Sequence, residues 1–142
     1  STVGNTDGCS TYYEHETGNN QIKAGTATAI TANIQSGDFD LGVQGNLQGD
    51  TNAGEVMMKI RRVLPDFLSQ TGGTRVTLNL KNYPTDSEAS SSLGPFDITS
   101  STDKIDTRAR ARAIALKISN TGLAQHWKVG TFRLDIQPDG RR

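Results

Sequence analysis

Between Lys104 and Asn120 the chain reads KIDTRARARAIALKISN, and its period of two constrains the fold more than any other stretch. Arg108, Arg110 and Arg112 alternate with Ala109 and Ala111. In a strand, successive side chains point to opposite faces, which would put the three guanidinium groups on one face and the alanines on the other. The same parity then carries Ile114, Leu116 and Ile118, so one face changes from charged to apolar midway. Either the arginine end projects beyond the core, or a bulge near Ala113 exchanges the faces. His126 to Arg142 repeats the pattern. Trp127 and Val129 share one parity and Phe132, Leu134 and Ile136 the other, with Gly130 at the change. Two long twisted strands, joined by a turn at Asn120-Thr121-Gly122 and hydrogen-bonded to each other, satisfy both runs. A helix over 104–120 is the competing reading, since Arg and Ala are good helix formers, Asp106 can cap it and Gly122 can close it.

The rest of the chain supplies further strands. Thr26, Thr28, Ile30, Ala32 and Ile34 alternate with small polar residues, which predicts one strand with one buried face. Phe39 and Leu41 share a side. Val56, Ile60, Val63, Leu64 and Phe67 fit helical spacing and Val56, Met58 and Ile60 a strand; strand is expected over Val56 to Arg62, with a kink at Pro65, where a continuing helix would lose about 3 kcal/mol. After Gly72-Gly73, Arg75 to Lys81 alternates strictly, and Gly94 to Thr99 carries Phe96 and Ile98. Turn signals separate these runs, and the sum is an all-β chain, an antiparallel β-sandwich or barrel-like domain. One β domain over residues 1–142 is expected, with 1–11 a loose lead-in and the whole the C-terminal part of a longer protein.

Composition excludes several classes. With 33% hydrophobic residues and a mean hydropathy of −0.53, the chain holds a modest core and no membrane-length apolar run. A single cysteine, Cys9, precludes an internal disulfide framework. No Gly-rich phosphate loop, serine elbow or paired-cysteine motif is present, so no catalytic residue is assigned and no cofactor is expected. Glu14-His15-Glu16 alternates across a strand, so His15 faces away from both carboxylates, and no metal is expected there. Glu14 and Glu16 are instead candidate partners for the arginines. The net charge of zero hides a split: from Lys104 onward nine Lys and Arg face three Asp, and before it six face twelve Asp and Glu. Partly buried Arg–carboxylate pairs between the two parts are expected.

Glu14-His15-Glu16-Thr17-Gly18, Pro65-Asp66-Phe67, Gly94-Pro95-Phe96, the Arg108–Arg112 run, Trp127-Lys128-Val129-Gly130 and the ending Arg133 to Arg142 occur in one order. Together, from Tyr12 to Arg142, they resemble the C-terminal part of a tailed-bacteriophage structural protein, of the short-tail nozzle, hub or packaged-DNA stabilisation type. The family pattern carries Gly where this chain has Ala111. The resemblance implies strand over 104–120. It also implies a non-catalytic virion component in the phage tail, assembled as a homo-oligomeric ring against other tail, adaptor or portal proteins and outside any membrane. Such a ring helps retain packaged DNA and forms part of the ejection conduit, with nonspecific DNA contact. Arg108, Arg110, Arg112, Glu14, Glu16, Trp127 and Arg133 are the structural or interface candidates. The alternative is a carbohydrate- or receptor-binding β-sandwich module, with Trp127 and Tyr12, Tyr13 or Tyr83 as a stacking platform. An exposed Trp127 would favour that alternative and a buried one the structural role.

Overall fold

The structure is a computed structural model that describes residues 18–23, 25–41, 56–83, 85–86, 91–120 and 122–141. The described residues form strands β1 (Asn20–Lys23), β2 (Thr26–Ala29), β3 (Ala32–Gln35), β4 (Phe39–Asp40), β5 (Val56–Leu64) and β6 (Phe67–Thr71). They continue as β7 (Thr74–Lys81), β8 (Ser92–Ile98), β9 (Ile105–Ala111), β10 (Ala113–Asn120), β11 (His126–Val129) and β12 (Arg133–Arg141), with no helix among them. All pairings are antiparallel. One sheet has the order β12-β5-β9 and another β3-β10-β7-β8, with β4 also on β10; β11-β6 and β1-β2 are two-stranded. No barrel closes among the described residues. The domain is all-β and sandwich-like, and the helix reading of 104–120 falls away.

The core lies between the inner faces of the two larger sheets. Met58, Ile60 and Val63 of β5 and Ala109 and Ala111 of β9 meet Val76 and Leu78 of β7, Ile98 of β8, and Ile114 and Ile118 of β10. The small side chains of the Arg-Ala run have a packing reason. Ala111 stands opposite Met58 and Ala109 opposite Ile60, so each alanine leaves room for a large neighbour on the adjacent strand. The pairing of β5 slips on both sides of Arg61. There the buried Thr107 hydroxyl donates to the Ile60 carbonyl at 3.1 Å, which satisfies an acceptor next to the irregular ladder.

The strands change sheets at three joints. At Arg112 the buried parity shifts from Ala109 and Ala111 to Ile114 and Ile118, and the chain passes from the β5 sheet to the β7 sheet. The face switch near Ala113 is thus a crossing between sheets, as strands make when they turn a sandwich corner. Arg112 holds the joint through its backbone N–H, 3.1 Å from the Lys81 carbonyl. The second joint is Pro65-Asp66, where β5 gives way to β6, since proline has no N–H for the ladder. The third, at Gly130, faces it. The Gly130 N–H donates to the Asp66 carbonyl at 2.8 Å, and the Thr131 N–H to the Asp66 carboxylate at 3.3 Å. A Cβ on residue 130 would lie 3.0 Å from the Asp66 carbonyl oxygen, which accounts for glycine at this close approach. The Phe67 and Phe132 rings meet edge to face at 5.4 Å beside it.

These joints overturn the expected hairpin of 104–120 with 127–136. Both runs are extended, but β9 pairs with β5, β10 with β7, β3 and β4, β11 with β6, and β12 with β5. The sheet changes at Arg112 and Gly130 carry the two runs into different partners. The single strand expected over 26–34 is two, β2 and β3, and its buried face is missing: Ile30 is 49% and Ile34 53% exposed. Here β2 pairs only with β1 and β3 only with β10, so neither has a neighbour on its far side among the described strands. The lead-in 1–11 and the strand expected at Thr11 to Glu16 lie outside the described residues.

Candidate functional site

The outer face of β12-β5-β9 gathers most of the predicted cations. Since Ala109 and Ala111 point into the core, Arg108 and Arg110 point out. Register places Arg110 opposite Lys59, Lys59 opposite Gln137, and Arg62 between Asp106 and Asp135. Arg133, exposed at the start of β12, stands opposite Leu64. The face therefore carries Lys59, Arg62, Arg108, Arg110 and Arg133, with the exposed Arg61 beside them. The β5 cations went unassigned in the sequence because Arg61-Arg62 lies in an apolar run whose outward face emerges only from pairing.

Two of these arginines are ion-paired. Arg110 Nε lies 2.6 Å from the Asp139 carboxylate, and its terminal nitrogen donates to the Asp139 carbonyl at 3.1 Å. Arg62 Nε lies 2.9 Å from Asp106, and Lys104 adds a longer contact to the same carboxylate at 3.5 Å. The Arg62 hydrogen bond holds the Asp106 carboxyl below its ordinary range, against a smaller upward effect of desolvation. Among the described residues, no carboxylate lies within ion-pairing distance of Lys59, Arg61, Arg108 or Arg133.

The expected upstream partners are corrected in part. Arg110 pairs with Asp139 near the end of β12, downstream of the arginines rather than upstream. Asp38 pairs with Lys81 at 2.7 Å. The Arg110–Asp139 pair is not the partly buried one expected, because its side chains are 41% and 39% exposed. Arg112 does not complete the outward row either: it sits half-buried at the crossing between sheets, where the alternation breaks. Glu14, Glu16 and Arg142 lie outside the described residues.

Trp127 is half-buried and packs against the core. Its indole N–H donates to Asn120 Oδ1 at 2.9 Å. Asn120, only 4% exposed, also accepts from the Ala32 N–H at 3.3 Å and donates to the Ile30 carbonyl at 3.1 Å. One buried amide thus ties the end of β10 to β11 and to the β2–β3 connection. Tyr83 is 65% exposed, and Tyr12 and Tyr13 lie outside the described residues. No described group of three His, Cys, Asp or Glu side chains converges as a metal site would require. Compared with known protein families, curated proteins and solved structures, the chain matches none.

Proposed function

We propose that this chain is a non-catalytic virion component, the C-terminal β domain of a short-tail nozzle or hub protein that assembles as a ring, helps retain packaged DNA and forms part of the ejection conduit. The observation that carries this reading is where the resembling motifs fall. Pro65-Asp66-Phe67 and Trp127-Lys128-Val129-Gly130 meet at one corner, through the 2.8 Å bond from Gly130 to Asp66. The arginine run ends at the other crossing between sheets, and the ending that begins at Arg133 supplies Asp139 to Arg110. Motifs separated in sequence are thus joints of one architecture, as expected of a pattern that specifies a scaffold.

The outer face suits a conduit or a subunit contact. Its cations are interleaved with Asp106, Asp135 and Asp139, which tempers the grip on any phosphate backbone passing it. The aromatic platform of the carbohydrate-binding alternative has less support, because Trp127 packs on the core and spends its N–H on Asn120. The decisive experiment is immunogold labelling, with an antibody to this domain, of particles produced by the genome that encodes it. Label at the tail is the expected result. Particles that lack the protein, or carry it only on the capsid shell, would sink the assignment.

A further inference from the structure

A second surface, on the outer face of the β10-β7-β8 sheet, has the character of a ligand site. A groove of about 400 Å³ is lined by Arg75, Thr77 and Asn79 of β7, Lys117 and Ser119 of β10, and Ser92 and Pro95 of β8. Register brings them together: Arg75 stands opposite Ser119, Thr77 opposite Lys117, and Asn79 opposite Ser92. Residues directly opposite in a ladder share a face, and Val76, Leu78, Ile114 and Ile118 take the inner one.

Asn79 is the telling residue. It is only 5% exposed, yet among the described residues its side chain makes no hydrogen bond. Among the described residues no buried side-chain nitrogen or oxygen is sealed off without a partner, and Asn79 lines the groove, so its amide opens there. An amide that is almost buried yet opens to a groove finds its hydrogen-bond partner there, in water or in a ligand. The hydroxyls of Thr77, Ser92 and Ser119 also lack side-chain hydrogen bonds among the described residues. Lys117 has no ion pair there, whereas Arg75 is held by Asp97 at 3.0 Å. The groove therefore offers one uncompensated cation, a second cation half-neutralised, three hydroxyls and an amide.

We propose that this groove binds an acidic sugar of the uronate class, with Lys117 on the carboxylate and Asn79, Thr77, Ser92 and Ser119 on the ring hydroxyls. Hydroxyl and amide side chains both donate and accept, which suits a polyol. Pro95 adds an apolar surface for the C–H side of a sugar ring. Among the described residues no aromatic side chain lines the groove, which favours a polyol over a stacked nucleobase, and the volume falls in the range of small-ligand sites. The proposal stands apart from the arginine face and does not depend on the virion assignment.

The test is a titration of the isotope-labelled full chain with D-glucuronate, D-glucose and inorganic phosphate, followed by amide chemical shifts. Glucuronate should move the amides of residues 75–79, 92–96 and 115–119, and glucose should bind about tenfold more weakly, as expected for loss of a charge-assisted contact. Lys117→Gln should weaken glucuronate by a similar factor, and Ser119→Ala should weaken it while leaving the spectrum's dispersion intact. The proposal is overturned if glucuronate moves nothing in the groove, or if both variants bind it like the parent. Phosphate binding as tightly as glucuronate would overturn the sugar assignment too.

Discussion

Trp127 and Asn120 form a hydrogen-bonded pair in which the indole N–H is 2.9 Å from a side-chain oxygen that is itself buried. The sole tryptophan is thus an anchor at the end of β10. Asn120→Leu removes the acceptor for Trp127 and Ala32 and the donor to Ile30. Loss of buried hydrogen-bond partners costs about 1–3 kcal/mol each when the remaining groups are left dry. Urea denaturation of the variant should show a fall of at least about 2 kcal/mol. A change within a few tenths would mean that water replaces the amide and that the clip is not structural.

Arg110→Ala should be mild. Its partner Asp139 is close, but both side chains are about two-fifths exposed, so solvent screens the pair. Exposed pairs contribute about 0.2–1 kcal/mol, against about 3–5 for breaking a buried one. The melting temperature of Arg110→Ala should therefore stay near that of the parent. A large drop would show that a neighbouring subunit or another segment buries the pair.

Acid should weaken the fold in part through Asp106. Its folded-state pKa lies below the ordinary 3.8, chiefly because of Arg62. Below that ordinary value the unfolded chain takes up the proton first, so the contribution is complete above 3.8 and is lost as pH falls through the lower folded value. Melting curves from about pH 6 to about pH 2 should fall less steeply for Asp106→Asn over the acid end. Parallel curves for parent and variant would remove Asp106 from the acid response.

Duplex DNA should bind weakly and without sequence preference, at about 10⁻⁴ to 10⁻⁶ M in physiological salt. If Lys59, Arg61, Arg108 and Arg133 all reach phosphates, the slope of log K against log salt should be about −3 to −4. Arg108→Glu should make it shallower. Fluorescence anisotropy with two unrelated duplexes across a salt series measures both quantities. Submicromolar binding that discriminates between the duplexes would turn the arginine face into a recognition site.

Side-chain direction in an extended chain is a local property with a period of two, so the alternation at Arg108 to Ala111 sorts inward from outward residues once strand is chosen over helix, a choice that rested on the resemblance. The same held for Val76 and Leu78 in β7, and for the breaks at Pro65 and Gly130, where backbone chemistry permits a joint. What the sequence could not reveal was who pairs with whom. The expected hairpin of 104–120 with 127–136 failed because both runs change sheets, and ladder partners are chosen by packing between distant strands. The partner of Arg110 was hidden for the same reason: Asp139 reaches it only because β9 and β12 flank β5 on opposite sides. Burial was equally non-local. Ile30 and Ile34 have the pattern of a core strand yet stay exposed, since no described sheet covers them. The polar groove around Asn79 has no signature in the chain at all, because β7, β8 and β10 contribute to it from three separate stretches. Local stereochemistry thus set most of the strands and, where a sheet covers them, their inward faces, while long-range packing alone decided the pairing, the exposed charges and both surfaces for which function is proposed.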